Sequence, residues 1–499
     1  MLASVRSATL LGIDGQLVTV EVHVSRGLPA YSVVGLPDAA GRESRERVRA
    51  ALLSSGLSWP LKRITVNLAP GGVRKAGSGL ELAIAVGLLT ADEQLPAGAL
   101  EGIAVLGELG LDGTVRPVPG TLALVSALAR VGVEHVVVPE ANAHEAALVP
   151  GVDVRVARTL GELRACLKGE GEWPHPATLP APPGDTAADE PLDLADVRGL
   201  RQARAALEAA AAGGHHLLLV GPPGAGKTML ARRLPTILPS LDTPAALEVT
   251  RIHSAAGTLT GAGLVTTPPF RTPHHSATIA ALVGGGSPRP RPGEITLAHR
   301  GVLFLDEVAE FGPAALDALR QPLEDRVVHL SRAAVSLTFP SDFLLVACCN
   351  PCPCGLEPTR CRCTDVQRAR YRRRLSGPLL DRFDLRLAVG ATEAHEDPGP
   401  SSDVARERVD AATARQRARF AGTVWTRNAE IPAGALRRLV PLRPATAALW
   451  RAVCDERSLT GRGAARVHRV ARTLADLDDR PDVADDDVAT AADLRMDVL

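Results

Sequence analysis

Leu217-Leu218-Leu219-Val220-Gly221-Pro222-Pro223-Gly224-Ala225-Gly226-Lys227-Thr228 joins an apolar run to a G-x-x-x-x-G-K-T loop in a chain of 499 residues. The run has the character of a buried strand, and Thr228-Met229-Leu230-Ala231-Arg232-Arg233-Leu234 opens a helix. In such a loop backbone N–H groups close around phosphates, Lys227 reaches the β/γ oxygens and the Thr228 hydroxyl holds Mg²⁺. The dipole of the following helix favours the same negative charge. A nucleoside triphosphate with Mg²⁺ is therefore the expected ligand, cradled by Gly221, Pro222, Pro223, Gly224, Ala225, Gly226, Lys227 and Thr228.

Phosphate chemistry also needs an acid, expected on a neighbouring strand. Gly301-Val302-Leu303-Phe304-Leu305-Asp306-Glu307 ends a continuous apolar run of the kind found in parallel sheets. Asp306 would hold Mg²⁺ through its water shell, and Glu307 would polarise the attacking water, turning a binding site into a hydrolase. A solvated strand end or helix cap would use the same two residues. Asp306 lies 79 positions after Lys227, so something is inserted between them. The insert, 258–296, is rich in Gly, Pro and Thr and carries Arg271, His274, His275, Arg289 and Arg291, which suggests exposed functional loops.

The length suggests about three domains. Lys+Arg and Asp+Glu both number 56, so no global charge points to a polyanionic partner, and nucleic-acid binding has to be argued locally. Without a signal-peptide pattern or an uncharged stretch of membrane-spanning length, the chain is expected to be cytoplasmic, with no membrane partner. Six of the 8 cysteines fall between Cys348 and Cys363, a crowding that fits a metal site or reduced thiols rather than disulfides.

Strand-like runs (17–24, 64–68, 103–106, 135–138) alternate with Ala/Leu-rich helical stretches in residues 1–170, an α/β domain. Residues 171–191, rich in Pro, Ala, Gly and Asp, read as a linker. A P-loop α/β core with a parallel sheet is expected over 192–395, including a Cys-rich insertion at 348–363, and a helical region over 396–499.

The chain resembles the magnesium-chelatase-like AAA+ ATPases of the YifB/ComM family over essentially its full length. The resemblance rests on Gly221–Thr228, Phe270-Arg271-Thr272-Pro273-His274-His275-Ser276, Pro292-Gly293-Glu294-Ile295, Val302–Glu307, Asn350-Pro351-Cys352-Pro353-Cys354-Gly355 and Ser376-Gly377-Pro378-Leu379-Leu380-Asp381-Arg382-Phe383-Asp384. It implies a homo-oligomeric ring, a hexamer, with ATP and Mg²⁺ between neighbouring subunits. Asn350 would be the sensor-1 residue beside Glu307, although an ordinary loop Asn before Pro fits the same position. Arg382 would be the arginine finger reaching the γ-phosphate of the next subunit; the alternative is a surface ion network of Asp381, Arg382 and Asp384. The last region would be the AAA+ lid, with Arg462 as sensor 2. Gly461 and Gly463 put that register in doubt, and Arg466 is the rival.

The N-terminal domain resembles the Lon-protease fold (ribosomal S5 domain 2-like), whose Ser/Lys dyad is expected to be missing. Aligning Lys75-Ala76-Gly77-Ser78-Gly79-Leu80 puts Gly79 at the nucleophile position, and Leu122 stands where the lysine would be. A serine needs a base, and no lysine lies between Lys75 and Lys168; a shifted dyad of Ser78 with Lys75 fits neither spacing nor loop.

Cys352, Cys354, Cys361 and Cys363 have a spacing that would present four thiolates to one structural Zn²⁺, against the alternative of metal-free thiols. Cys348 and Cys349 end an apolar strand and read as packing residues. His274 and His275 fit loop anchors better than metal ligands. For DNA, a hairpin over 327–330 and 335–339, turned at Ser331-Arg332-Ala333, would point Arg332 into a ring pore, and Arg372, Arg373 and Arg374 form a basic run. A solvated helix face or subunit contact accounts equally for that run.

The function expected from the resemblance is an ATP-driven ring motor on single-stranded or branched DNA, a helicase or branch-migration factor integrating transforming DNA. A magnesium-chelatase-type ATPase remodelling a protein partner and a Lon-type ATP-dependent protease are the alternatives.

Overall fold

In the computed structural model the described residues are 1–36, 38–71, 75, 78–96, 98–180, 192–261, 263–286, 290–332, 335–356, 360–390 and 398–496. The chain divides into two compact units, one of Met1–Ala187, Ala246–Val265 and Gly286–Pro292, the other of Ala188–Ala245, Thr266–Gly285 and Gly293–Leu499.

The first unit is built on a seven-stranded sheet in the order Ala30–Val34, Arg63–Ala69, Asp14–Ser25, Leu2–Leu11, Ile103–Val105, His135–Pro139, Asp153–Ala157. Its middle is antiparallel (Leu2–Leu11 with Asp14–Ser25, and that strand with Arg63–Ala69), and both flanks are parallel. Arg63–Ala69 alternates buried and less buried residues, the period-2 signature of a strand covered on one face. Helix Glu81–Ala91 is apolar on nearly every side, so it lies inside, against Val5, Val20 and Val22 of the sheet.

Two differences from the sequence reading concern this unit. Trp173, at the start of the stretch read as linker, packs on the unit's core with the Arg155 guanidinium 5.3 Å from its ring centre; residues 181–191 of that stretch lie outside the described residues. Ala246–Val265, far away in sequence, also belongs here. The buried Glu145 carboxylate accepts the Leu122 N–H at 2.6 Å and the Ser254 hydroxyl, and the Ser254 carbonyl accepts the Gly120 N–H at 3.1 Å.

The second unit carries a parallel five-stranded sheet in the order Phe270–Arg271, Val302–Leu305, Leu344–Cys349, Leu217–Val220, Leu385–Ala388. Leu217–Val220, Val302–Leu305 and Leu344–Cys349 are buried at every residue, so they read as unbroken apolar runs. The insert expected as exposed loops contributes the edge strand Phe270–Arg271, because its apolar Phe270 stacks on Phe304 with ring centres 5.8 Å apart.

The C-terminal helices Ser402–Arg419, Ala433–Leu439, Pro444–Glu456, Gly461–Leu477 and Asp485–Asp493 share one apolar core with this sheet and with helices Arg201–Gly213 and Lys227–Ile237. The chain then returns to the sheet: Arg386 N–H donates to the Leu494 carbonyl at 2.8 Å, and Met496 N–H to the Arg386 carbonyl at 3.2 Å.

Within that helical packing Asp476 is fully buried and accepts from Arg419 at 2.5 and 2.8 Å and Asn428 at 2.9 Å, with Arg472 at 3.0 Å. Removing the acid would leave two guanidinium groups without their countercharge. Asp476→Ala is expected to lower the unfolding free energy by about 3–5 kcal/mol, read by urea denaturation. Asp317→Ala, which breaks a half-exposed pair with Arg320, should change it little. Equal effects would contradict a structural role for the buried network.

Candidate functional site

The glycines of Gly221–Thr228 are required by geometry. Gly224 and Gly226 hold φ of +79° and +81°, a region that side chains disfavour. A Cβ on Gly221 would sit 2.2 Å from the Val389 carbonyl oxygen. Helix Lys227–Ile237 starts directly at the loop, so its free N–H groups face the loop's concavity.

Lys227 is nearly buried, and its ammonium donates to the carbonyls of Gly221 at 2.7 Å and Pro222 at 2.8 Å and to Asn350 Oδ1 at 3.3 Å. The Thr228 hydroxyl donates to Asp306 Oδ2 at 2.8 Å, while Asp306 Oδ1 accepts the Glu307 N–H at 3.0 Å. The acid strand stands one strand removed from the P-loop strand. Leu344–Cys349 lies between it and the P-loop strand, pairing Val220 with Cys349 on one side and Leu305 with Ala347 on the other. Asn350 therefore emerges between Lys227 and Asp306.

Glu307 has φ of +50°, a conformation uncommon for a non-glycine residue, and its side chain is 61% exposed. His275 Nδ1 lies 3.9 Å from its carboxylate, and the His274 ring rests against His275 with centres 4.1 Å apart. Arg271 makes a bidentate pair with Glu294 at 2.7 and 2.8 Å. An Arg and a Glu in two successive Pro-flanked motifs are the sequence signal of this pair.

The four cysteines come together. Their sulfurs lie within 4.8 Å of one another, with Cys352–Cys354, Cys352–Cys361 and Cys354–Cys361 at 3.3, 3.5 and 3.8 Å. A tetrahedral zinc with Zn–S of about 2.3 Å requires sulfur separations of about 3.8 Å, so the set fits that ion. Backbone N–H groups of Arg362 and Leu356 pull the Cys354 thiol down to about 6, whereas burial pushes Cys352 up to about 12. Gly355 packs on the P-loop, where a Cβ would lie 3.0 Å from Pro223. Cys348 and Cys349 are buried and burial raises both thiols, in keeping with packing residues.

The remaining predicted residues fall elsewhere. Arg382 pairs with Glu324, a partner that the expected alternative of Asp381 and Asp384 did not include. Arg462 is exposed in the first turn of helix Gly461–Leu477, which Thr460 caps, so Gly461 and Gly463 occupy the helix start, where glycine is tolerated. Arg466 is buried and paired with Asp384 at 2.9 Å.

The hairpin runs longer than expected, Val327–Arg332 against Val335–Pro340, and Arg332 ends a strand instead of forming the turn. The Arg332 side chain and residues 333–334 lie outside the described set, as does Arg289. Arg372, Arg373 and Arg374 are all exposed, and Arg374 is held by Glu310 at 2.7 Å and the Ala309 carbonyl at 3.1 Å.

In the first unit Leu122 is buried in an apolar cluster with Leu106 and Val118, and Lys75 donates to the Pro70 carbonyl. The Ser78 side chain lies outside the described set. Among the described residues no helix is long and apolar enough to cross a membrane.

Comparison with known proteins agrees with this architecture. Residues 193–397 match the family described as magnesium chelatase, subunit ChlI; residues 20–142 match subunit ChlI of Mg-chelatase, and residues 399–495 its C-terminal part. An uncharacterised protein of Mycobacterium tuberculosis is 48% identical over 98% of both chains. YifB of Escherichia coli is 40% identical over 96% of this chain and 94% of its own. Competence protein ComM of Haemophilus influenzae is 39% identical over 95% of this chain and 94% of its own. Lon protease 2 of Bacillus subtilis is 29% identical over 35% of this chain and 36% of its own, in line with a Lon-like α/β unit. With a P-loop, an acid strand and an intervening strand ending in Asn350, and with two relatives matched over nearly their whole length, the chain belongs to the YifB/ComM family of magnesium-chelatase-like AAA+ ATPases.

Proposed function

We propose that this protein is an ATP-hydrolysing ring motor that acts on DNA in the cytoplasm. The observation that carries the hydrolysis is the meeting of Lys227, Thr228, Asp306 and Asn350 at one edge of a parallel sheet, with Glu307 next to Asp306. Phosphate oxygens would take over the Lys227 ammonium from the loop carbonyls. Thr228 and Asp306 would share Mg²⁺. Glu307 would polarise the lytic water, steadied by Asn350, and Arg462 would reach the nucleotide from the helical region.

Arg382 would enter the site of the next subunit in a hexameric ring, neutralising charge that spreads over the phosphoryl oxygens. In comparable enzymes that is worth about 10³–10⁵ in rate. The 348–363 loop, fixed by zinc on Cys352, Cys354, Cys361 and Cys363, would brace the P-loop through Gly355 and Pro223. The N-terminal unit would be catalytically silent, since the position of the Lon-type lysine is held by a buried leucine.

The DNA part of the reading is supported by three features. A hairpin whose first strand ends at Arg332 precedes the strand that leads into Asn350, Arg372 and Arg373 are exposed, and a full-length relative is named for competence. The basic groups would follow the phosphate backbone without reading sequence. Turnover of ATP with and without single-stranded, double-stranded and forked DNA is the direct test.

Lys227→Ala is expected to abolish ATP binding. Glu307→Gln should bind ATP and lose roughly 10²–10⁴ in turnover, measured by nucleotide binding and phosphate release. Turnover within a few-fold of the parent in Glu307→Gln would remove its role.

Protein purified without chelators should carry about one zinc per chain, lost when Cys352 and Cys361 are both changed to Ser. Metal analysis that finds no zinc would reject the site.

Forked DNA should raise ATP turnover, with binding that falls steeply between about 50 and 200 mM salt. Arg332→Ala should blunt that stimulation and leave ATP affinity unchanged. No DNA binding at low salt and no change in turnover would favour a protein partner, as for a chelatase-type ATPase.

A further inference from the structure

Two side chains from one short helix hold the loops that carry Asn350 and Glu307. Helix Asp365–Arg372 begins at Thr364, whose hydroxyl accepts the Gln367 N–H at 3.3 Å while Gln367 Oε1 accepts the Thr364 N–H at 2.9 Å. Such a reciprocal cap fixes where the helix starts, directly after Cys363. Its last turn runs on past Arg372: the Arg374 N–H donates to the Tyr371 carbonyl at 3.1 Å and the Leu375 N–H to the Arg372 carbonyl at 3.2 Å. Residues three and four apart share a face of such a turn. Tyr371 and Leu375 are accordingly both buried, and Arg374 lies on their side, whereas Arg370, Arg372 and Arg373 are exposed.

The buried face meets both halves of the candidate site. Burial keeps the Tyr371 phenol protonated, and its oxygen takes the N–H of Asn350, the first residue past strand Leu344–Cys349. The Oδ1 of the same Asn350 lies 3.3 Å from the Lys227 ammonium. Arg374 Nη1 donates to the Ala309 carbonyl at 3.1 Å and to Glu310 Oε2 at 2.7 Å. Ala309 and Glu310 close the turn that Glu307 opens, in which the Glu307 carbonyl accepts the Glu310 N–H at 2.7 Å.

The φ of +50° at Glu307 costs energy for a residue with a side chain and lasts only where the surroundings impose it. Val308 and Ala309 impose it by being buried, and Arg374 grips the other side of the turn. The Arg374–Glu310 pair is half-exposed, so it adds little to stability. What it supplies is geometry, since one guanidinium fixes both a carbonyl and a side chain of the turn.

We propose that Tyr371 and Arg374 are positioning residues for ATP hydrolysis, the first setting Asn350 and the second the turn of Glu307, a role that rests on the ATPase reading above. Each acts through another residue, so the pair governs the hydrolytic step and leaves ATP affinity alone. Displacing a catalytic group by about 1 Å costs up to about 10²-fold in rate, and losing one of several restraints costs less.

The test is steady-state phosphate release and ATP binding by full-length protein, comparing Tyr371→Phe, Arg374→Ala and Arg374→Lys with the parent. Tyr371→Phe removes one hydroxyl and keeps the buried ring. Tyr371→Phe and Arg374→Ala are each expected to lower kcat about 5–50-fold, with ATP KM and Kd within about twofold of the parent. Arg374→Lys, which keeps a cation for Glu310, should recover part of the loss. Arg374→Ala should leave the urea midpoint unchanged, and Arg443→Ala, at an exposed pair with Asp482, should leave kcat unchanged. A kcat within about twofold of the parent in either Tyr371→Phe or Arg374→Ala overturns the proposal. So does a loss of kcat matched by weaker ATP binding or, in Arg374→Ala, by a lower urea midpoint. A parent that releases no phosphate sinks the ATPase reading and the positioning role with it, whereas parental turnover in the variants sinks the positioning role alone.

Discussion

Parallel pairing of Leu217–Val220 on one side with Leu344–Cys349 and on the other with Leu385–Ala388 is the constraint on which the second unit depends. Parallel strands put all their carboxyl ends on one edge, so the loop after each strand opens into the same space. The P-loop, Asn350 and the Asp306-Glu307 pair share that edge for this reason. Placing Leu344–Cys349 between the P-loop strand and the acid strand sets the spacing: Asn350 reaches Lys227 at 3.3 Å, and Thr228 reaches Asp306 at 2.8 Å.

The same geometry gives the sheet a second edge with a different chemistry. Residues entering the strands carry no catalytic loop, and there the chain has gathered arginines and carboxylates. Besides the shared apolar core, ion pairs tie the helical region to the sheet: Arg466 with Asp384 is buried, Arg427 with Asp342 nearly so, and Glu430 is reached by the exposed Arg326. Buried pairs of this kind contribute little net stability compared with apolar packing, but breaking one member is costly. They fix the orientation of Arg427 and Arg466.

The loop from Cys352 to Cys363 shows how a local constraint can support a remote one. Its sulfurs are close enough for a single ion, and Gly355 within it touches Pro223 of the P-loop. The left-handed Glu307 and the two histidines beside it complete a rim in which the candidate water-activating acid is exposed, with His275 Nδ1 3.9 Å from its carboxylate.

Chemistry that resides in contiguous residues is legible without the fold. Gly221–Thr228 and Val302–Glu307 were legible because a phosphate loop and a buried strand each impose a local pattern, and the α/β character of both units followed from the same alternation of apolar runs and helical stretches. The cysteine quartet was legible as a spacing. Tertiary structure decided whatever depends on pairing across long separations. It made Leu344–Cys349, and not the acid strand, the neighbour of the P-loop, turned part of an apparent loop insert into an edge strand, and gathered Ala246–Val265 into the first unit. It also separated Arg462 from Arg466, exposing one and burying the other against Asp384. Local patterns fix which residues can be buried or charged. Which of them meet is set by strand order and by the cost of burying a charge without a partner, and those depend on the whole fold.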